Sequence, residues 1–366
     1  MMKKFWFYLA AAVPFAAMAL ASGEKAAALQ IDALKNEPVY LDDNSFSADS
    51  PYNHLRIVTA FATFLPESAT KLEMLDALSA KYADRDLQCI AFSPEPRPTL
   101  EAFIAPLAIA KIEIAHDPEG KTANEYLDGA MVTNRAFVVD ADQTILWDGD
   151  PDDLPRVLSA MYADKFNASS FRAVSGWQQE LTVAIASGNM PEIMHNAERI
   201  LQSDPENSIG LRGYLYAAEY LEKPAVAFDF LSKLLAAHPD CQKLYFALIE
   251  QCRKDDALLD KAWPLAGEFG TRFASEPAAV NRMAWALLNT FPTRAGALGA
   301  VRKMVGNLEA APESAEILTT LAMYRSRVGD LAGAISLQAK AVELAPPADR
   351  PTLQGFLDFY REAAAK

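Results

Sequence analysis

Cysteine is scarce in this chain: three in 366 residues, at 89, 241 and 252, and no two stand in a Cys-x-x-Cys pair. A paired-thiol redox centre in its usual local form is therefore excluded. Cys89 falls in an apolar stretch that reads as a central strand, where a thiol behaves as a small hydrophobe. Cys241 and Cys252 lie about three helical turns apart, so on one helix they are too distant to bond to each other. Histidine is sparse as well. His54, His116, His195 and His238 are scattered without a recurring ligand spacing, so neither a metal nor any other cofactor is expected. Positive charge is short: 34 Lys and Arg against 48 Asp and Glu leave a net charge of −14. A surface so acidic repels nucleic acid and anionic lipid. Long apolar runs are missing everywhere except at the N-terminus, so no later segment is expected to cross a membrane.

The N-terminus has the one such run. Lys3 and Lys4 precede an apolar stretch from Phe5 to Leu20, which closes on Ala19-Leu20-Ala21 before Ser22. That order fits a secretory signal peptide over residues 1–21, with cleavage expected after Ala21 and a periplasmic or secreted location for the mature chain. The run is short for an uncleaved anchor, and no cysteine follows to carry a lipid. Cleavage removes Lys3 and Lys4 and no acid, taking the net charge from −14 to −16. Hydrophobic residues make up 51% of the chain, ample for the two domains that this length suggests.

The first half alternates strands and helices. Leu55 to Phe64, with Ile57, Val58 and Phe61, has the apolar and β-branched content of a buried strand. Pro66 and Glu67 then suit a helix N-terminus, and Leu72, Leu75, Leu78 and Tyr82 recur at helical spacing. Leu87–Phe92 and Ile112–Ala115 read as further buried strands, with helical spacing at Leu100, Phe103 and Ile104 between them. Leu154, Val157, Leu158 and Met161 make a closing helix, and Trp147 is expected in the core or at its rim. The result is an open α/β sheet.

The turn Phe61-Ala-Thr-Phe-Leu-Pro-Glu-Ser68 and the stretch from Val132 to Pro151 resemble the periplasmic thiol–disulfide reductases of the thioredoxin-like redoxin type, over roughly Ile31 to Ala163. Setting Phe64 on that family's tryptophan puts Leu65 and Ser68 at its two cysteine positions. Asn134 then takes the place of its cis-proline. The resemblance thus implies a vestigial active-site turn made of Phe64, Leu65, Pro66, Glu67, Ser68 and Asn134, with no catalytic residue left in it.

The second half is all-helical in pattern. Prolines at 205, 239, 277, 312 and 346 close successive units at intervals of 34, 38, 35 and 34, near the tetratricopeptide period. From Ala315 to Pro346, Leu318, Leu321, Ala322, Tyr324, Gly329, Asp330, Ala334, Ala341 and Pro346 resemble the tetratricopeptide consensus almost position by position. Trp177 with Gly188-Asn189, and Leu211 with Ala227, mark two earlier units. The units ending at Pro277 and Pro312 are looser, with Pro264 interrupting the helical pattern of one. A last helix after Pro351 carries Leu353, Phe356, Leu357 and Tyr360 on one face with charge opposite, as a solvating cap requires. Tyr214, Tyr216 and Tyr220 are expected to pack between helices rather than to form a recognition surface.

The expected architecture is a thioredoxin-like α/β domain over 22–163, a linker over 164–173, and an all-α tetratricopeptide-type repeat domain over 174–366. The expected function is that of an exported, redox-inactive scaffold or adaptor that holds a protein or peptide in the repeat groove, with no nucleic acid and no lasting membrane insertion. The alternative is a thiol–disulfide oxidoreductase working through Cys89 or a cysteine of the repeats. A small-molecule site in the groove around Phe64, Pro66 and Glu67 is a third, weaker expectation.

Overall fold

The computed structural model describes residues 20–36, 52, 54–127 and 135–365. Most of the expected signal peptide and Asn134 lie outside the described residues. The chain divides into two compact units, 1–217 and 218–366.

The first unit opens with β1 (Asp32–Lys35), β2 (Arg56–Ala60), α1 (Ser68–Lys81), β3 (Gln88–Ser93), α2 (Arg97–Ile104) and β4 (Glu113–His116). It continues with α3 (Lys121–Leu127), β5 (Ala136–Val139), β6 (Ile145–Gly149) and α4 (Leu154–Tyr162). The strands form one sheet in the order β1-β4-β3-β2-β5-β6. β2, β3 and β4 run parallel, while β1, β5 and β6 join antiparallel. This is a thioredoxin-like mixed sheet. Period-two alternation sends Ile57, Cys89, Ile114, Val138 and Trp147 to one face, under α1, α2 and α4. Val58, Phe92, Ala115, Phe137 and Val139 go to the other, against Tyr126 and Leu127 of α3. Both faces are covered, which is why the central strands read as continuous apolar runs.

Three features depart from the sequence expectation. The strand expected to reach Phe64 ends at Ala60, because the chain turns away to form the loop before α1. β1 and α3 were not foreseen; four and seven residues long, they are too short to show a period. At the far edge, the N-terminal segment lies along β6. Gly23 N donates to Ile145 O at 2.7 Å, Ile145 N to Glu24 O at 2.9 Å, and Ala26 N to Gln143 O at 2.7 Å.

Trp147 is fully enclosed, and the space beside it is available only because residue 149 is glycine. A Cβ at Gly149 would stand 2.4 Å from Trp147 Cζ2, and the indole has no free volume into which to move. Gly149→Ala is expected to cost about 2–3 kcal/mol, read as a lower urea midpoint for the first unit.

α5 (Ala168–Ser187), α6 (Met190–Ser203) and α7 (Ser208–Tyr220) follow. α5 begins inside the segment expected to be a linker, where the Asn167 side chain accepts the N–H groups of Ser169 and Ser170. The turn into α6 falls at Gly188, at φ 67°, and Asn189 caps the new helix through the N–H of Glu192.

The second unit is all-helical: α8 (Pro224–Ala237), α9 (Gln242–Lys254), α10 (Ala262–Arg272), α11 (Pro277–Thr290), α12 (Ala295–Glu309), α13 (Ala315–Arg327), α14 (Leu331–Leu344) and α15 (Arg350–Ala364). Helices from α5 to α14 fall two to each of the five expected sequence units. Within the second unit, side chains about one period apart in sequence meet: Lys254 Nζ reaches Glu219 at 2.7 Å across 35 residues, Arg272 reaches Asp240 at 3.0 Å across 32, and Gln242 donates to Glu276 at 2.9 Å across 34. Pro264 does not break its helix. It sits in the first turn of α10, where its missing N–H would have had no intrahelical partner. α13 and α14 pack closely about Ala322 and Ala334, and Tyr360 of α15 closes that cluster. The outer face of α15 is less polar than expected, since Phe359 is 62% exposed.

Candidate functional site

The turn at residues 61–68 is built by the end of β2 and the start of α1. Phe61 N donates to Phe92 O at 3.0 Å, the last bond along that strand. Leu65 N then bonds back to Ala62 O at 3.2 Å and Ser68 N to Leu65 O at 3.1 Å. Two successive turns thus lift Phe64 to 54% exposure and bring the chain into α1 at Ser68. Pro66 and Glu67 precede the helix instead of forming its first turn, and the Glu67 side chain makes no cap hydrogen bond.

Ser68 is buried, and its Oγ donates to Ala62 O at 2.7 Å. The hydroxyl is spent on closing the turn. Leu65 lines a cleft with Phe61, Ser68, Leu72 and Pro151 that has about 20 Å³ of free space, room for one water. The structure thus brings Phe64 to Ser68 together as one turn; it does not describe Asn134.

One residue that sequence reasoning missed organises this turn. The Glu95 carboxylate accepts Thr63 N at 2.6 Å, Thr63 Oγ1 at 2.8 Å and Ser93 Oγ at 3.3 Å. Nothing in the sequence pairs positions 63 and 95; parallel pairing of β2 with β3 brings the two strand ends together. Removing a charged acceptor strands its donors, so Glu95→Ala is expected to cost about 1–2 kcal/mol in chemical denaturation.

All three cysteines are buried. Burial, with a smaller contribution from Asp76, pushes the Cys89 thiol well above its ordinary range. Burial likewise raises Cys252 to about 11. A thiol so raised carries almost no thiolate near neutral pH.

A second cluster lies at the end of β6, in Asp148-Gly-Asp-Pro-Asp-Asp153. Asp148, Asp150 and Asp153 are each almost completely enclosed, and each is satisfied by named donors. Asp148 pairs with Arg135 and accepts Ser175 Oγ at 2.6 Å and Ser22 N at 2.8 Å. Asp150 pairs with Arg212 of α7 and accepts Asp152 N at 2.8 Å. Asp153 accepts Ser208 N at 2.9 Å and Ser208 Oγ at 2.8 Å. Arg156 reaches Asp204 at 2.9 Å and Glu206 at 3.0 Å. These contacts fasten the sheet to α5 and α7 within the first unit. Among the described residues no group of His, Cys, Asp or Glu is arranged to hold a metal ion, and no helix is long and apolar enough to cross a membrane.

Neither a family model nor a curated protein matches the chain. Among solved structures, AhpC of Mycobacterium tuberculosis is similar over 39% of this chain and 99% of its own, at 19% identity and a TM-score of 0.31. The peroxidoxin BcpB of the same organism covers 39% of this chain and 97% of its own, at 16% and 0.30. A hypothetical protein from Sinorhizobium meliloti 1021 covers 40% and 87%, at 18% and 0.30. Similarity at this level speaks to neither chemistry nor partners; strand order and register carry the fold assignment.

Proposed function

We propose that this is an exported, redox-inactive protein in which a thioredoxin-like domain and tetratricopeptide-type repeats act as a protein-binding scaffold of the bacterial envelope. The observation that favours it most is the state of the turn. Leu65 and Ser68 occupy the positions where relatives of the resembled type carry thiols, and the Ser68 hydroxyl is committed to Ala62 O at 2.7 Å. The three existing cysteines are enclosed. A helical array offers a groove for an extended or helical segment of another protein.

Thiol reactivity tests the redox half. The native protein is expected to react with a thiol reagent at pH 7 roughly 100-fold more slowly than the denatured chain. Leu65→Cys should add one fast-reacting thiol. Rapid labelling of the unmodified native protein would favour the oxidoreductase reading instead. Crosslinking the full chain in cells and eluting without reductant tests the scaffold half, with a discrete partner and no reductant-sensitive adduct as the expected outcome.

A further inference from the structure

The donor on Asp148 with the most to tell is Ser22 N. Asp148 is 3% exposed, and its Oδ1 accepts that backbone N–H at 2.8 Å and Ser175 Oγ at 2.6 Å, while Oδ2 faces Arg135. Ser22 is also the residue that follows the small-residue pattern Ala19-Leu20-Ala21. The chain is bonded on both sides of this point: Ser22 Oγ donates to Leu146 O at 2.9 Å and Gly23 N to Ile145 O at 2.7 Å, while Ala21 N donates to Glu24 Oε2 at 2.9 Å and Ala21 O accepts Glu24 N at 3.1 Å.

We propose that the Ala21–Ser22 bond is a processing site whose new terminus is captured: cutting there frees an ammonium on Ser22 that seats on the buried Asp148 carboxylate. The proposal rests on the export reading above. Water splits the amide in the site of a signal-peptidase-class endopeptidase. Its hydroxyl goes to the Ala21 carbonyl, and the resulting acid proton, with the second hydrogen of water, goes to the Ser22 nitrogen. A carboxylate leaves with the leader, together with Leu20, which lies against the α3-side core. What was a neutral N–H donor becomes a cation at hydrogen-bond distance from a buried anion, and such charge-assisted bonds are about twice as strong as neutral ones. Cutting precedes folding, so the enclosure of the site does not hinder it. An unprocessed or wrongly processed chain lacks this cation.

The sign with pH follows from the group. A free α-amino group titrates at about 7.7–8.0; the Asp148 carboxylate that it touches, with Glu24 nearby, raises that value in the folded state, opposed by Arg135 on the other oxygen of Asp148 and by Arg172, whose Nε stands 3.1 Å from where a Cβ at Gly23 would be. The added stability is complete below pH 7.7 and is lost as pH rises through the raised value.

The test has two parts. The protein is exported from its own leader and its first residue determined by mass spectrometry; Ser22 is expected. Full-length mature chain beginning at Ser22, released from a cleavable fusion, is then compared with the same chain carrying one extra glycine before Ser22. The glycine form is expected to unfold at least about 3 °C lower at pH 6.5, with the gap closing above pH 9. The α-amino group of the Ser22 form should acylate at least about tenfold more slowly when folded than in denaturant. In Asp148→Asn the gap between the two forms should vanish. Should that variant not fold, the glycine comparison decides alone, since it leaves Asp148 intact. Equal melting of the two forms overturns the capture and leaves export standing; a different first residue on exported protein does the same. Uncut protein retained in the cytoplasm overturns both.

Discussion

Asp153→Ala is expected to destabilise the first unit by about 3–5 kcal/mol. The carboxylate lies enclosed and accepts both Ser208 N and Ser208 Oγ. Hydrogen bonds to a charged group contribute about 1.5–3 kcal/mol each, and truncation removes the shared acceptor of two buried donors. Asp152, one residue away and exposed, is the internal control: Asp152→Ala should stay within about 0.5 kcal/mol of the parent. Urea unfolding of the three proteins makes the comparison, followed by a signal from the first unit such as Trp147 or Trp177 fluorescence. A loss under about 1 kcal/mol at Asp153 would mean that α7 is held to the sheet by other means. The same contact predicts that a fragment begun at α5 loses the acceptor for the N-terminus of α7, so the helices nearest the sheet belong to its folding unit.

The second large effect is a pH dependence. Glu113 opens β4 at 6% exposure, and its Oε1 has no hydrogen-bond partner among the described residues. Burial raises its pKa from the ordinary 4.5 to about 7, against a smaller opposing pull from Arg56. The folded state therefore holds a proton that the unfolded chain releases. Stability from this group is complete below pH 4.5, falls as pH rises, and is exhausted above pH 7. The span corresponds to about 3 kcal/mol. Glu113→Gln removes the titration, so the difference in unfolding free energy between parent and variant should change by about that amount from pH 4.5 to pH 8. A flat difference would place Glu113 in water.

Most of the sheet was legible from local pattern. Ile57-Val58 and Cys89 to Phe92 are continuous apolar runs because both faces of a central strand are covered. The helices were legible at 3.6 spacing, most clearly where Gly329 and Asp330 break one and start the next. Glu95 and the Asp148–Asp153 loop were not, because their meaning lies in partners 32 and 55 residues away in sequence. In one dimension Asp-Gly-Asp-Pro-Asp-Asp is an exposed turn; only α5 and α7 make it an interior. Pro264 misled for a related reason, since a proline marks a helix start or a helix break according to where the preceding turn ends.

Backbone hydrogen bonding by residues 23–26 along β6 has one more implication. An uncovered outer strand is a template on which a foreign extended segment can align, whether a substrate peptide or a copy of the same chain. Here the chain's own N-terminal segment occupies that template, so accretion from this side of the sheet is blocked. Whatever associates with the protein there must recognise side chains rather than main chain, and displacing residues 23–26 would expose a surface prone to aggregation.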